Sequence, residues 1–276
     1  MREVRNQIRG VRSIRQVTRA MKAVSMSKAG RAQAVVEAAR PYEELLREVL
    51  GRLAGAAHQV RHPLLNVRAV RRACFTVVSA DKGLSGGFDV PVLRRALKEA
   101  ESYPEAIFVA VGRKAANFFN FRGLETAGRF VDLDENIHVK DARSIAHHII
   151  HGYERGDYDR VDLVYSEFIS FFEHRTEVVS LIPVPVSDEP GGNYLFEPGA
   201  EEILSAVLPL FIEEALFHAL AESKASEHAA RLSAMDRATR NADEMIDRLT
   251  FRLHRLRQAG ITGELLDIVT AAEALE

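Results

Sequence analysis

The sequence predicts an α/β protein in which two long terminal helices frame a central domain with a mainly parallel sheet. Apolar residues recur every three or four positions near both ends of the chain, and short apolar strands alternate with helical stretches between those ends. At 276 residues the chain is long enough for one large or two small units. We expect an N-terminal coiled-coil helix over residues 1–60, an α/β domain over 70–188 and a C-terminal coiled-coil helix over 200–276.

The N-terminal helix is predicted from a nearly uninterrupted helical pattern whose only proline up to residue 57 is Pro41. Seven apolar positions step by three and four, as a heptad seam requires: Ala32, Val35, Ala39, Tyr42, Leu46, Val49 and Leu53. An earlier run keeps the same step in another register: Ile14, Val17, Met21 and Val24. We therefore expect the seam to shift near Lys28, and we expect Pro41 to bend the helix.

The central domain is predicted from short apolar runs of strand length. Four runs qualify: Ala73–Ser79, Ala106–Val111, Val161–Glu167 and Thr176–Val184. The first two are each followed by a helix-like stretch, and a further helical pattern covers Asp141–Arg155. Alternation of strands with helices favours a parallel sheet covered by helices. Ser187–Gly199, rich in proline and glycine, is predicted to link this domain to the last helix.

The C-terminal helix carries the stronger seam. Its apolar positions alternate three and four over nearly four heptads: Leu232, Met235, Thr239, Ala242, Ile246, Leu249, Leu253 and Leu256. A periodic pattern far longer than ~25 residues is typical of a coiled coil rather than of a globular helix. The two terminal helices are therefore predicted to pair with each other.

The charge and the cysteine content of the sequence exclude some classes of protein. The chain holds 37 Lys and Arg against 39 Asp and Glu, which argues against a nucleic-acid coat over the whole molecule. The ends are electrically opposite: residues 1–31 carry nine bases and one acid, and residues 201–276 carry eight bases and 14 acids. Cys74 is the only cysteine, so an intrachain disulfide is excluded. The longest charge-free apolar stretch, Ile203–Ile212, is shorter than the ~20 residues that a membrane-spanning helix needs.

Two segments are candidates for chemical sites. The glycine-rich segment 81–88 follows a strand and precedes a helix, but Lys82 comes before the glycines, whereas a phosphate-binding loop places its lysine after them. We expect a tight turn there, with the glycines supplying positive φ angles. His147 and His151 lie one helical turn apart, yet no third zinc ligand is evident in the sequence. The sequence thus predicts no catalytic, cofactor-binding or metal-binding residues.

Basic residues line one face of the first helix at positions 2, 5, 9, 12, 15, 19 and 22. A solvated face explains such a stripe, but one acid among nine bases does not allow the ion pairs that a solvated helix normally forms. An acidic partner, protein or nucleic acid, is the alternative. Two further hypotheses remain open on these residues alone: a stand-alone α/β enzyme with helical oligomerisation arms, and a basic coiled-coil protein that binds nucleic acid.

Four segments, in the right order along the whole chain, resemble the gamma subunit of F-type ATP synthases. They are IRGVRSIRQVTRAMKAV at 8–24, ADKGLSGGFD at 80–89, SEHAARLSAMDRATRNADEMI at 226–246 and RQAGITGELLDIV at 257–269. The resemblance implies an antiparallel coiled coil of the terminal helices with an inserted Rossmann-like domain. It also implies that the chemistry belongs to other subunits and that this chain transmits torque.

The resemblance further implies the partners and the location. They are the alpha and beta subunits of the catalytic hexamer, the epsilon subunit and the membrane c-ring, with no nucleic acid and no membrane span of its own. The chain would lie at the cytoplasmic face of the bacterial cell membrane as a peripheral part of the complex, coupling ion transport to ATP synthesis. No cofactor is expected. No cysteine-bearing regulatory insert is present, so thiol switching is not expected.

Individual positions match residues that contact the hexamer in this family. Lys22 matches a lysine that faces an acidic loop of a beta subunit. Arg257 and Gln258 match a pair that makes polar contacts with the catalytic ring. Three positions match residues implicated in energy coupling: Arg231, Thr262 and Glu264. The tail from Ile261, including Leu265 and Ile268, resembles the segment that turns within the apolar sleeve of the hexamer.

Overall fold

The computed structural model describes residues 1–57, 62–185, 197 and 199–273. Within these residues there are five helices, α1 (Arg2–Ala57), α2 (Asp89–Ala100), α3 (Arg113–Arg122), α4 (Val139–Arg155) and α5 (Ala200–Glu273). The same residues include five strands, β1 (Arg72–Val78), β2 (Glu105–Val111), β3 (Thr126–Phe130), β4 (Arg160–Ser170) and β5 (Glu173–Ile182). A 3₁₀ turn covers Pro63–Leu65. The predicted linker lies outside the described residues except for its positions 197 and 199.

The residues divide into two compact units. Met1–Ser25 and Arg231–Glu276 form the first unit, which contains the ends of both long helices. Met26–Ala230 forms the second unit, which contains the whole sheet. The domain boundaries expected from the sequence differ from this division, because each long helix contributes residues to both units.

The five strands form one sheet in the order β3-β2-β1-β4-β5. The first four strands are parallel to their neighbours, and β5 pairs antiparallel with β4 at one edge. The mainly parallel sheet and four of its strands are as predicted. Strand β3 was not predicted; it is a five-residue edge strand in which no residue is fully buried. This order matches five of the six positions of a Rossmann sheet.

Helices cover both faces of the sheet. Buried side chains of α2 and α3 pack on one face with Phe75 of β1 and Phe108 of β2. On the other face α4 packs with residues from the adjoining parts of α1 and α5, Leu50 and Leu208 among them. The sheet is therefore the middle layer of three, which explains why β1 and β2 in its interior are mostly apolar.

Local signals fix the ends of the shorter helices. At the start of α4 the Asp141 carboxylate accepts a hydrogen bond from the His138 amide at 3.1 Å. Gly156 ends that helix with φ 81°, and Gly123 ends α3 with φ 66°, both in the left-handed region that favours glycine. These residue types allow the ends of the two helices to be predicted from the sequence.

Helix α1 differs from its prediction in the position of its seam. The helix is continuous through Pro41, and the expected bend there stays a prediction. Its buried residues, together with half-buried residues between them, form one seam with steps of four and three from Val4 to Leu53. The buried members include Ile8, Thr18, Ser25, Ala29, Val36 and Leu46. The expected shift near Lys28 is wrong, and Ile14, Val17 and Val24 of the predicted first seam are exposed. Polar side chains occupy several seam positions, so a pattern of apolar residues alone misplaces the face.

The seam of α5 follows the sequence more closely. Met235, Thr239, Ala242 and Ile246 are buried, which confirms the central part of the predicted seam. Leu249 and Leu253 are half-buried, and Leu256, the last predicted member, is exposed.

Part of α5 satisfies a test for membrane-spanning helices that considers only length and composition. The apolar residues of its first turns, including Leu204, Leu208 and Ile212, are fully buried in the core of the second unit. The core of this domain accounts for their apolar character.

Candidate functional site

Three polar contacts join α1 to α5 within the first unit. Arg15 lies 2.8 Å from Asp243, and Lys22 lies 2.5 Å from Asp236. Between these ion pairs, the Thr18 and Thr239 hydroxyl oxygens are 2.9 Å apart and buried. As the residue numbers of the contacts rise along α1, those of their partners fall along α5. The two helices are therefore antiparallel here, as the sequence analysis expected.

Lys22 thus has a partner within its own chain. Its hydrogen bond is the main reason that the pKa of Asp236 lies below its usual range, and Arg240 adds a second positive charge 2.6 Å from the same carboxylate. The Lys22 side chain remains partly exposed. A contact with another subunit would therefore compete with, or extend, an existing ion pair.

The basic stripe is only partly free to meet a partner. Arg15 and Lys22 pair with aspartates of α5, so these two positions complete the helix pair. Five other positions of the stripe are exposed: Arg2, Arg5, Arg9, Arg12 and Arg19. The exposed apolar residues Ile14, Val17 and Val24 lie on the same helix. This end of α1 therefore presents a mixed basic and apolar surface.

The antiparallel register determines where the paired segment ends. Arg15 is level with Asp243, and α1 begins at Arg2, so α1 extends only to about the level of residue 256 of α5. The stretch of α5 from that level to its end has no facing turn of α1. All the predicted contact residues at this end lie beyond that level and are exposed: Arg257, Gln258, Ile261, Thr262, Glu264, Leu265 and Ile268.

The free end of α5 is apolar as well as exposed. Ile261, Leu265, Leu266 and Ile268 lie in consecutive turns, with exposed fractions that rise to 66% at Ile268. Exposed apolar patches of this kind mark surfaces that partners cover. The structure thus places Ile261, Leu265 and Ile268 together, with Arg257 at the base of the same segment.

Arg231 has different surroundings. Only 7% of it is exposed, within the first unit, so it does not share the accessible surface of Arg257 and Gln258. The predicted role of Arg231 in energy coupling stays a prediction.

The sheet topology marks the place where a Rossmann-like domain binds ligands. This place is the crevice at the carboxyl ends of the strands where the strand order reverses, here between β1 and β4. In this chain α5 crosses the carboxyl ends of the strands. Its residues Leu220, Ser223, Lys224 and Glu227 line a space of about 20 Å³ next to Val78 of β1 and Val111 of β2. The Ser223 hydroxyl accepts a hydrogen bond from the Ser166 amide at 3.1 Å. The crevice is thus filled by the protein itself.

The glycine-rich segment beside the crevice forms a turn, but not quite as predicted. Of its glycines only Gly86 has a positive φ angle, 65°, and Leu84 adopts a similar value of 63°. The Asp81 carboxylate accepts hydrogen bonds from the amides of Arg113 and Asp132, and Lys82 lies 3.9 Å from Glu135. The charged groups of this segment therefore hold neighbouring loops in place.

The two helix histidines contact each other. Their rings stack with centroids 5.9 Å apart, and His151 Nδ1 lies 2.7 Å from the carbonyl oxygen of His147. Among the described residues no three His, Cys, Asp or Glu side chains are grouped so that they could hold a metal ion.

Comparison with known proteins relates the whole chain to one family. The family model described as ATP synthase matches residues 1–275. The chain is 47% identical to the ATP synthase gamma chain of Desulforudis audaxviator, an alignment that covers 100% of this chain and 99% of that protein. It is 46% identical to the ATP synthase gamma chain of Pelotomaculum thermopropionicum, with the same coverage.

Solved structures share the fold at lower identity. A chain in the Euglena gracilis mitochondrial ATP synthase, in rotational state 3, superposes with a TM-score of 0.70 at 16% identity, covering 99% of this chain and 94% of that chain. A chain in the rotor of the same enzyme, in rotational state 1, gives 0.67 at 17% identity, covering 94% and 98%. The family match over residues 1–275 and the full-length similarity to curated relatives show that the chain belongs to the ATP synthase gamma chain family.

Proposed function

We propose that this chain is the central-stalk rotor subunit of an F-type ATP synthase, coupling transmembrane ion flow to ATP synthesis or hydrolysis by rotation. The observation that carries the proposal is the unpaired end of α5, an exposed apolar helix that continues a helix pair joined by polar contacts. Such a segment suits a bearing inside a ring of subunits, because apolar contact without fixed polar partners lets one surface slide on another. The family relationship supports the same assignment.

The partners in this proposal are the alpha and beta subunits around the helix pair, with the epsilon subunit and the membrane c-ring at the sheet domain. The protein is then peripheral, at the cytoplasmic face of the bacterial membrane. We assign the contact with the hexamer to the predicted residues Lys22, Arg257, Gln258, Thr262 and Glu264. We assign to the same contact the apolar residues at this end of α5, which are Ile261, Leu265 and Ile268. Arg231 would act on them through the helix pair.

The chain itself is proposed to be non-catalytic. The filling of the sheet crevice by α5 supports this, because the place where a Rossmann-like sheet binds a nucleotide is occupied by Ser223 and its neighbours. Calorimetric titration of the isolated chain with ATP should show no binding tighter than millimolar. Micromolar binding would contradict the non-catalytic assignment.

Rotation can be tested with a reversible tether. Val24 is half-exposed, whereas the adjacent Ser25 is buried, so a disulfide partner can reach Val24→Cys but not a cysteine at the next position. Cys74 can stay, because it is fully buried and burial raises the pKa of its thiol. A disulfide from Val24→Cys to a cysteine in an acidic loop of a beta subunit should stop multisite ATP hydrolysis.

Reduction of this tether should restore turnover. The complex with the wild-type chain, oxidised in parallel, controls for other effects of oxidation. If the tether forms in high yield and steady-state hydrolysis continues at the untethered rate, the chain is a static strut and the rotor proposal is wrong.

A further inference from the structure

A partly buried histidine lies between α1 and α5 in the second unit. Nε2 of His218 is 3.2 Å from Oε1 of Glu222, one turn further along α5. Nδ1 of the same ring is 3.5 Å from Oε2 of Glu43, which belongs to α1. Glu222 is buried and Glu43 is half-buried. We call these three residues the His218 cluster.

Both ring nitrogens of His218 face a carboxylate oxygen. A neutral imidazole has one N–H, so its other nitrogen would present a lone pair to an oxygen that also carries lone pairs. A protonated imidazole has an N–H at both positions and can serve both carboxylates. The geometry of the His218 cluster therefore favours the charged form of the ring.

The two carboxylates depend on His218 to different degrees. Oε2 of Glu222 has no hydrogen-bond partner in the described part of the chain, and His218 supplies the one ion pair that Glu222 makes there. Glu43 also lies 2.7 Å from Arg47, whose side chain is largely exposed. A neutral His218 would thus leave Glu222 as a buried carboxylate without a cation, which is unfavourable.

The charged and titratable groups of the neighbouring strands do not replace the charge of His218. Burial raises the pKa of Tyr165 on β4, which keeps its phenol neutral. Glu167 of β4 and Glu177 of β5 both pair with Arg175, at 2.9 and 2.5 Å. The sheet therefore supplies no spare positive charge to the cluster.

The remaining acid near the cluster is Glu214 of α5. Burial is the main cause of its raised pKa; the His218 charge opposes this shift and the Glu43 charge adds to it. Its ordinary value is 4.5, whereas that of His218 is 6.5. The two titrations can therefore be separated by variants of each residue.

We propose that charged His218 fastens α1 to α5 beside the sheet, and that loss of its proton as the pH rises loosens the last part of α1. Leu46, Leu50 and Leu53 of this part of α1 are buried. Their apolar contacts persist at every pH, so residues 43–57 should open more often rather than detach. The proposal does not rest on the rotor function.

The sign of the pH dependence follows from the pKa of His218. The hydrogen bond to Glu222 is the main reason that this pKa is raised above 6.5 in the folded chain; burial opposes the shift, and the charges of Glu222, Glu43 and Glu214 add to it. The stabilisation is therefore complete below pH 6.5 and is lost as the pH rises through the pKa of the folded state. Between these two values the opening equilibrium should rise by up to about tenfold per pH unit.

Two measurements on the full chain test the proposal. Hydrogen exchange followed by mass spectrometry, corrected for the intrinsic exchange rate at each pH, measures the opening of residues 43–57. We expect this opening to increase above pH 6.5 and then to level off. NMR titration of the histidine rings gives the pKa of His218, whose signal is the one absent from His218→Gln. This pKa should lie above 6.5.

Four variants separate the cluster from its surroundings. His218→Gln should remove the increase in opening above pH 6.5, and Glu43→Gln should reduce it and lower the pKa of His218. Glu214→Gln should keep the increase, because Glu214 forms no ion pair with His218 among the described residues and titrates from a lower ordinary value. His151→Gln, an exposed change on α4, is the matched control and should behave like the wild type.

Three results would overturn the proposal: a pKa of His218 at or below 6.5, the same pH-dependent opening in His218→Gln as in the wild type, or an unchanged pKa of His218 in Glu43→Gln. Circular dichroism of each variant confirms that it is folded. Should His218→Gln fail to fold, the wild-type exchange profile decides, since opening of residues 43–57 that does not increase above pH 6.5 also contradicts the proposal.

Discussion

Truncation of Ile246 to alanine tests whether the helix pair depends on its seam. Ile246 is 8% exposed and lies one seam step beyond the Arg15–Asp243 ion pair, level with Val11 of α1. Replacing a buried isoleucine by alanine lowers the free energy of unfolding by about 2–5 kcal/mol. Because a two-helix seam is open to solvent on both sides, water can fill the space that the side chain leaves. We therefore expect a loss of about 2–3 kcal/mol in the free energy of unfolding.

Hydrogen exchange followed by mass spectrometry measures this locally. In the first unit, amides of α1 between residues 4 and 25 should exchange about 30- to 150-fold faster in Ile246→Ala, because 1.4 kcal/mol corresponds to a factor of ten in the opening equilibrium. Local exchange is preferable to a global melting curve, since the chain contains two compact units.

Leu266→Ala is the matched control. It removes the same kind of apolar group from the same helix, but Leu266 is 61% exposed and lies beyond the paired segment. Exchange in residues 4–25 should stay at the wild-type rate. If Ile246→Ala left exchange unchanged, or if Leu266→Ala accelerated it equally, the assignment of the seam would be wrong.

Three further predictions concern stability. Gly30→Ala should raise the thermal midpoint, with a gain of up to about 1 kcal/mol, because no atom lies within 4 Å of the added Cβ and alanine is the better helix former; a lowered midpoint would show a hidden contact. Gly152→Ala should lower the urea midpoint, since its Cβ would lie 2.2 Å from the Tyr158 hydroxyl oxygen; an unchanged midpoint would contradict this packing. Asp236→Asn should destabilise the first unit at neutral pH but not in acid, as measured by hydrogen exchange in the same α1 segment. The pKa of Asp236 in the folded chain lies below its ordinary value of 3.8. The stabilisation by the Lys22 ion pair is therefore complete above pH 3.8 and disappears as the pH falls through the pKa of the folded state. A pH-independent difference would exclude the ion pair as its cause.

Elements whose signals are local could be predicted from the amino-acid sequence alone. Long helical periodicity, apolar strand runs, the mainly parallel sheet and the central seam of α5 all follow from residue spacing. The short edge strand β3 could not be predicted, because its residues are half-buried or exposed and show no apolar run. The candidate contact residues were assigned by family resemblance; their spacing alone does not identify them.

Only contacts in the folded chain establish which face of α1 is the seam. Thr18, Arg15 and Lys22 occupy that face because they contact residues of α5. Those partners are more than 200 residues away in sequence, at separations of 221, 228 and 214. The His218 cluster likewise depends on Glu43, which contacts His218 from a distant part of the chain. The spacing of apolar residues indicates which positions pack against apolar neighbours. Whether a polar residue is buried in the same seam depends on a polar partner, which comes near only when the chain folds.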